Sequence, residues 1–415
     1  MAGLVIAAMT LARPIGFGTA PALGSESVHI QASVQLLAGC LPITVGLLWM
    51  IAAPFDIVTS RLRPLAGLII GLSFASGAAA MALNWAIVME HVPNHFALVP
   101  AVTDAIVATL YAVFLAAMPL GASVAVASQM ILRGSSIWLL GYALVRLMVT
   151  SGRVFLDADR FMWFFDTPLA EMALLGFVIP SCVGLVMGAM SAIGDPRTFM
   201  RHLPMQLQLW HSSVFLWLSL RVWCLRYPGS YQKLVLALVG IGILVVTTTI
   251  IADTSILQRI FIPTRWTSRR RGGLHFGGLA LGFALVASVL VVATAMMAAG
   301  MNDIPPPQLF AALLMAILVG VLTPTIGCVT LALADEDAWV VPARVMLATA
   351  IVVIAIGALV ASLVWPLSIV VERSLRDPIV GAIALAGAGI ALLLLWESLF
   401  YRPHIADLDD DYCDC

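Results

Sequence analysis

The chain alternates between long apolar runs and short polar breaks, and this pattern predicts a polytopic membrane protein. About 20 consecutive apolar residues are enough for a helix to span a bilayer. Ten runs approach or exceed that length, at 31–54, 64–88, 97–121, 168–194, 205–226, 232–252, 274–300, 308–333, 342–371 and 379–401. Two shorter segments, 137–152 and 1–12, complete a set of about twelve transmembrane helices. The pattern therefore predicts an all-α membrane protein.

The first segment has two interpretations. A signal peptide is the alternative to a first helix within residues 1–22, because the apolar run MAGLVIAAMTLA ends after twelve residues, before Arg13 and Pro14. The segment has no basic start, and no A-x-A cleavage site follows it immediately. We therefore interpret it as a short first helix.

One apolar phrase occurs twice, 138 positions apart. Residues 36–48 read LLAGCLPITVGLL, and residues 174–186 read LLGFVIPSCVGLV. The shared residues are Pro42, Val45, Gly46 and Leu47 in the first copy and Pro180, Val183, Gly184 and Leu185 in the second. A third segment, GVLTPTIGCV, offers Pro324 and Gly327. A period of this length indicates duplicated multi-helix units rather than a solenoid.

The repeated phrase divides the chain into three groups of four helices. A single transmembrane domain, 1–402, would consist of repeats at about 1–135, 136–273 and 274–402, followed by an acidic cytoplasmic tail at 403–415. The third helix of each group would open with a proline and close with a tryptophan: Pro64 and Trp85, Pro204 and Trp223, Pro342 and Trp365. Chance is the competing explanation, because tryptophan prefers the membrane interface and proline the first turn of a helix. The shared order of these features favours the repeat.

The composition supports the membrane assignment and excludes other classes. The 415 residues are 62% hydrophobic and 10% charged, whereas soluble domains carry about 25% charged residues. The formal net charge is −1, and the chain has no basic domain of the kind that binds nucleic acid. The expected partners are the lipid bilayer and other membrane-protein subunits.

The distribution of arginines among the predicted loops sets the orientation. The even-numbered loops hold Arg61, Arg63, Arg133, Arg197, Arg201, Arg259, Arg265, Arg269, Arg270, Arg271 and Arg344. The odd-numbered loops hold fewer: Arg13, Arg153, Arg160, Arg226, Arg373 and Arg376. We therefore expect both termini on the cytoplasmic side of a bacterial inner membrane. The cluster TRWTSRRRGG at 264–273 contributes most to this orientation, and it is also suited to anionic lipid headgroups.

The repeated phrase, together with ARPIGFGTA at 12–20, resembles two known groups of proteins. Twelve helices in three arcs of four, with both termini inside, resemble the haem-copper oxidase catalytic subunit. In size the chain is more similar to the NnrS family, the twelve-helix membrane proteins of the nitric oxide response, whose second helix carries a similar proline–glycine phrase. The resemblance spans most of the chain and implies that arrangement of helices.

The histidines depart from this resemblance. Both groups place histidines on the helices aligned here, because neutral imidazole ligates haem iron and copper. The seven histidines of this chain are at 29, 91, 95, 202, 211, 275 and 404, and none lies within 33–54, 168–194 or 308–333. We therefore predict no cofactor, since the ligands do not support a haem or copper centre of the standard kind.

Five intramembrane polar residues are the candidates for function: Asp104, Arg146, Glu171, Arg221 and His211. Charges inside a membrane are functional candidates by default. Asp104 and Arg146 fall on consecutive helices, as do Glu171 and Arg221, so each pair would neutralise itself. The alternatives are ion pairs that hold helix ends in register, and a pathway for a polar substrate or proton. His211 is a candidate metal or haem ligand or proton relay, with a hydrogen bond to a neighbouring helix as the alternative.

The remaining motifs do not identify a reaction. There is no P-loop, no H-E-x-x-H and no C-x-x-C-H. Two cysteines in the tail, Cys413 and Cys415, are more typical of a disordered polar segment than of a metal site. We therefore expect no catalytic residue, and a degenerate NnrS-like protein acting as a non-catalytic membrane component. The alternative is a secondary transporter of a small polar solute or proton.

Overall fold

The computed structural model describes residues 40–52, 56–88, 93–118, 126–156, 165–192, 202–227, 229–254, 256, 268–298, 313 and 316–333. Within these ranges the chain is helical and has no strand, which confirms the predicted all-α class. Six segments there are long and apolar enough to cross a membrane: Leu62–Ala80, His95–Ala117, Ala127–Leu156, Pro168–Met190, Ser230–Thr254 and Phe276–Met297.

The helices of the described residues are numbered here in chain order. Seven are single helices: α1 (Leu41–Ala52), α2 (Asp56–Val88), α3 (Leu98–Ala117), α4 (Val126–Leu156), α6 (Leu203–Arg226), α7 (Ser230–Thr254) and α8 (Ser268–Ala298). Two are composite. Helix α5 joins Asp166–Glu171, the π-helical Met172–Val178 and Ile179–Ala192, and α9 joins the π-helical Ala316–Val321 and Leu322–Leu333. A short 3-10 turn, Asn94–Ala97, leads into α3.

Helix α5 is the centre of the bundle. Its membrane segment, Pro168–Met190, is 94% buried, whereas the other five segments are between 28% and 56% buried. It packs against α1, α4, α6, α8 and α9. Around it, α1 to α4 pack in chain order, α4 contacts α6, α6 to α9 continue the order, and α9 returns to α1. The repeated phrase of residues 174–186 therefore lies on an enclosed helix.

The outer faces of the surrounding helices are apolar. On α3 the exposed side chains include Val99, Val102, Ile106 and Val113, which share one side of the helix, while Asp104 and Tyr111 are buried on the other. Exposed apolar side chains at this spacing are typical of a lipid-facing surface. On α3 the charged residue therefore faces the interior of the bundle, and a row of apolar side chains faces outward.

A π-helical turn precedes the proline of the phrase on α5 and α9. Pro180 follows Met172–Val178, and Pro324 follows Ala316–Val321. A proline inside a helix has no N–H to donate, and its ring clashes with the carbonyl four residues earlier. A local widening to π geometry relieves that clash. Cys40, two residues before Pro42 on α1, has the same conformation.

The glycines four residues before Pro180 and Pro324 each lie against an aromatic ring of the neighbouring helix. A Cβ placed on Gly176 would lie 2.6 Å from Cγ of Trp138 on α4. A Cβ on Gly320 would overlap the ring of Phe283 on α8. We call these two positions the glycine seats. They let α4 approach α5, and α8 approach α9, more closely than any side chain would allow.

Helix α4 is longer than the predicted 137–152. It begins at Val126, so Arg133 lies within a helix rather than in a loop. The hydropathy pattern breaks here because it treats serines as water-exposed. In the structure the buried Ser128 donates a 2.6 Å hydrogen bond to the carbonyl oxygen of Gly184 on α5, so its hydroxyl is satisfied without water.

Three other helices also differ from the expectation. Helix α2 begins at Asp56, so Pro64 lies inside it and does not open it, whereas Pro204 does lie in the first turn of α6. Helix α8 begins at Ser268, so the arginine cluster expected in a loop extends into a helix. The helix predicted at 205–226 is present as α6, but its glutamines, serines, histidine and arginines keep it out of the six apolar segments. The predicted helices at 1–12, 342–371 and 379–401 and the tail at 403–415 lie outside the described residues.

Candidate functional site

The four charged candidates meet in two ion pairs, as their positions on consecutive helices predict. Asp104 of α3 pairs with Arg146 of α4, and Glu171 of α5 pairs with Arg221 of α6. All four side chains are largely removed from the surface. Each pair therefore carries no net charge in the interior of the bundle.

The Asp104 pair joins three helices. Arg146 Nη1 donates to Oδ2 of Asp104, and the hydroxyl of Ser76 on α2 donates to Oδ1 at 2.5 Å. Hydrogen bonds to a charged group are the stronger kind, so this carboxylate ties α2, α3 and α4 together.

The Glu171 pair is completed by an indole. Arg221 Nη2 lies 3.1 Å from Oε1 of Glu171, and Arg221 Nε lies 3.4 Å from Oε2. The Trp217 indole N–H donates to Oε2 at 2.8 Å, and the guanidinium carbon of Arg221 lies 5.8 Å from the centre of the Trp217 ring. Both carboxylate oxygens are therefore satisfied by a single face of α6. Glu171 is also the last residue before the π-helical turn of α5.

Both ion pairs lie toward the same end of the bundle. Gly141 of α4 packs against Met172, next to Glu171, and Arg146 is five residues beyond Gly141. At 1.5 Å per residue the two pairs differ in depth by about 8 Å. Exposed aromatic side chains occur at this end too: Trp223, Tyr227 and Tyr231. Such aromatics are typical of the membrane–water interface, so the ion pairs lie near one membrane face.

This geometry favours the structural alternative for the four charges. Both oxygens of each carboxylate accept hydrogen bonds from groups of the bundle itself. A carboxylate that receives a substrate or a proton needs an accessible oxygen, and these two are nearly fully buried. Such pairs are suited to holding the ends of neighbouring helices in register, a role that requires charge neutrality and not access.

His211 of α6 is held by a hydrogen bond to a neighbouring helix, and its partner is a tryptophan. The Trp138 indole N–H donates to Nδ1 of His211 at 2.8 Å. Because Nδ1 accepts, the neutral ring carries its proton on Nε2, which faces Gly134 so closely that a Cβ there would lie 2.6 Å away. The indole of Trp138 thus touches both His211 and the Gly176 seat, and links α4, α5 and α6.

A cluster of hydroxyls and thiols surrounds Pro180, and the sequence reasoning did not single it out. The hydroxyl of Ser181 donates to Ser135 of α4 at 2.9 Å, and the buried thiol of Cys182 is the next residue along the helix. Tyr111 of α3 packs edge-on against Phe177, with ring centres 5.9 Å apart. The recurrence of Ser, Thr and Cys next to the phrase prolines was the available signal. These contacts tie α3 and α4 to the central helix.

The described residues do not fit a haem or copper centre. They contain no group of three or more His, Cys, Asp or Glu side chains arranged to hold a metal ion. Nδ1 of His211 already accepts a hydrogen bond, and Nε2 faces backbone. The space beside the phrase on α5 is filled by Trp138. Ligation by imidazole would need groups that this part of the chain does not bring together.

Comparison with known proteins adds no assignment to this geometry. No protein-family model, no curated protein and no solved structure matches the chain at a significant level.

Proposed function

We propose that the chain is a degenerate NnrS-like protein of the bacterial inner membrane, a non-catalytic component built from three repeats of four helices. One observation carries the proposal. The three helices with the proline–glycine phrase, α1, α5 and α9, each pack against the other two. In an architecture of three arcs, the second helix of each arc would meet the others in this way.

The glycine seats support the repeat independently. Gly176 and Gly320 are 144 positions apart, each lies four residues before a phrase proline, and each faces an aromatic ring on the preceding helix of its group. A similar contact occurs at the glycine that follows each of the two prolines, Pro180 and Pro324. Gly184 faces Leu132 of α4, and Gly327 faces Phe276 of α8. Matching contacts between matching helices are not expected from composition alone.

The helix bounds shift the proposed repeat boundaries. The positions near 135 and 273 fall inside α4 and α8, which begin at Val126 and Ser268. Boundaries just before those two residues would keep each four-helix unit intact. The twelve-helix total then includes the predicted helices at 1–12, 342–371 and 379–401, which lie outside the described residues.

The non-catalytic role rests on how the centre is occupied. Where the resemblance implies metal-ligating histidines, the central helix has Glu171 and Met172 instead. Glu171 is paired with Arg221 of α6, and Met172 packs against Gly141 of α4. The four membrane charges pair with one another near one membrane face. The secondary transporter is less well supported, because these charges offer no accessible polar group to a solute.

We expect the purified protein to be colourless and free of stoichiometric metal. The physical reason is ligand supply, since a bis-histidine haem and a three-histidine copper need several imidazoles at one depth. An optical spectrum and a metal analysis of protein purified after growth with added haem precursor and copper provide the measurement. A stoichiometric Soret band that survives washing would contradict the proposal. If that band persisted in His211→Ala, His211 would be excluded as its ligand.

We expect both termini to face the cytoplasm, with the ion-pair end of the bundle facing the periplasm. The balance of arginines between alternate loops is the reason. Reporter fusions, with one reporter active only in the periplasm and one only in the cytoplasm, placed after residues 228 and 402 provide the measurement. Position 228, between α6 and α7, should report the periplasm and position 402 the cytoplasm. The reverse pattern, or the same side for both, would refute the topology.

A further inference from the structure

A second polar site lies between α6 and α7, at the opposite end of α6 from Arg221. Gln206 of α6 donates from Nε2 to Oδ2 of Asp253 on α7 at 2.5 Å. Trp210 follows Gln206 by one helical turn on the same buried face. Toward the other membrane face, Gly240 of α7 packs against Trp217 of α6, which shows that the two helices run antiparallel.

Asp253 determines which end of the Gln206 amide points inward. A carboxylate can only accept a hydrogen bond, so the atom facing Asp253 must be the amide nitrogen. The amide oxygen, Oε1, therefore points away from Asp253. Gln206 is 6% exposed, so this oxygen is removed from solvent.

Two buried polar atoms at this site have no partner among the described residues. They are Oε1 of Gln206, which can only accept, and the indole N–H of Trp210, which can only donate. Trp210 is 3% exposed. Leaving such an atom unsatisfied costs about 1–3 kcal/mol, and nearly all buried polar groups in proteins have a partner. An acceptor and a donor one turn apart, and not bonded to each other, are the two contacts that one bridging oxygen requires.

We propose that the α6–α7 interface binds a small neutral guest whose single oxygen donates to Oε1 of Gln206 and accepts from the Trp210 indole N–H. Water and the hydroxyl group of a small alcohol share this chemistry. The exposed Asp253 marks the side from which the guest enters, because it lies in the last turn of α7. A charged guest does not suit the site, since it would meet no opposite charge at the two atoms it bridges.

A double-mutant cycle tests for the guest. Gln206→Met and Trp210→Phe each remove one of its two contacts. Gln206→Met also removes the hydrogen bond to Asp253, and Trp210→Phe also removes part of the ring volume. Each single change should lower the melting temperature in detergent by at least about 2 °C, the usual scale for the loss of one buried hydrogen bond. The double variant should lose clearly less than the sum, because either change alone already releases the guest. Circular dichroism and size-exclusion chromatography establish that each variant is folded.

A matched control separates the guest from packing along the helix. Val214 is one turn beyond Trp210 and is fully buried but apolar. A cycle of Trp210→Phe with Val214→Ala should be close to additive. Equal coupling in the two cycles would overturn the proposal, as would additivity in the first cycle. A higher melting temperature for Trp210→Phe would overturn it as well, because removing a truly unsatisfied donor is stabilising.

The same variants identify the source of the oxygen. Ethylene glycol is titrated against wild type and the double variant, and the melting temperatures are compared. A larger gain in wild type means that a solute hydroxyl occupies the site, since only a ligand of the native state stabilises in this way. If ethylene glycol raises the melting temperatures of wild type and the double variant equally, and the Gln206–Trp210 cycle still shows coupling, then water occupies the site. Both results support the proposal.

Discussion

Gly176→Ala should destabilise the protein far more than alanine at an open glycine of the same bundle. The added methyl group would lie 2.6 Å from the ring of Trp138, a separation that carbon atoms do not adopt. Trp138 cannot turn away freely, because its indole N–H is bonded to His211. Helices α4 and α5 would have to separate, and overpacking of a close-packed interior costs about 1–3 kcal/mol or more. Thermal melts in detergent provide the measurement.

The control for this change is Gly71→Ala on α2, where no atom lies within 4 Å of the position that the added methyl group would take. It should be neutral or slightly stabilising, because alanine is the better helix former. Gly320→Ala should behave like Gly176→Ala, since its methyl group would overlap the ring of Phe283, and Phe283→Leu should restore part of the loss. Equal melting temperatures for Gly176→Ala and Gly71→Ala would show that the seat does not constrain the bundle.

Arg221→Ala should destabilise the protein more than the double change Glu171→Ala with Arg221→Ala. The single change leaves a nearly fully buried carboxylate with only the Trp217 indole as its partner. Breaking a buried ion pair from one side typically costs about 3–5 kcal/mol, whereas removing both charges avoids the uncompensated one. A melting series of wild type, both single variants and the double variant provides the measurement.

The Asp104 pair provides an internal comparison for that series. Asp104→Ala with Arg221→Ala combines changes from two different ion pairs, so their effects should add. Simple additivity for Glu171→Ala with Arg221→Ala as well would mean that the two charges do not depend on each other in the membrane. That outcome would contradict the interpretation that the ion pairs hold the helix ends in register.

The sequence predicted the features that depend on the order of residues along a helix. Apolar runs predicted the helices, and the opposite charges on consecutive helices predicted both ion pairs. Features that depend on how helices rotate against each other were not predictable. The contact at Gly176 forms only because Trp138 faces α5. The hydrogen bond to His211 forms only because the same indole also reaches α6. The bond between Gln206 and Asp253 likewise depends on the register of two helices, which hydropathy does not report.

Hydropathy was misleading where polar side chains are satisfied by other helices. It shortened α4 by treating the region around Ser128 and Arg133 as a break, although the Ser128 hydroxyl is bonded to the backbone of α5. The same averaging lowers the score of α6, where His211 and Arg221 have partners on other helices and the amide nitrogen of Gln206 is bonded to Asp253. A scale that assigns each polar residue a fixed cost cannot distinguish a satisfied residue from an exposed one.

The enclosure of α5 has a consequence for how the protein is made. Helices enter the membrane in the order of synthesis, and α5 is complete before α6, α8 and α9, which form part of its surroundings. During that interval the side of α5 that carries its serines and glycines contacts lipid or an insertion factor. The acidic residue of its membrane segment, Glu171, is neutralised early, because Arg221 arrives on the next helix. The bundle thus matures from a neutral but incompletely covered intermediate, and its centre becomes complete only when α9 has entered the membrane.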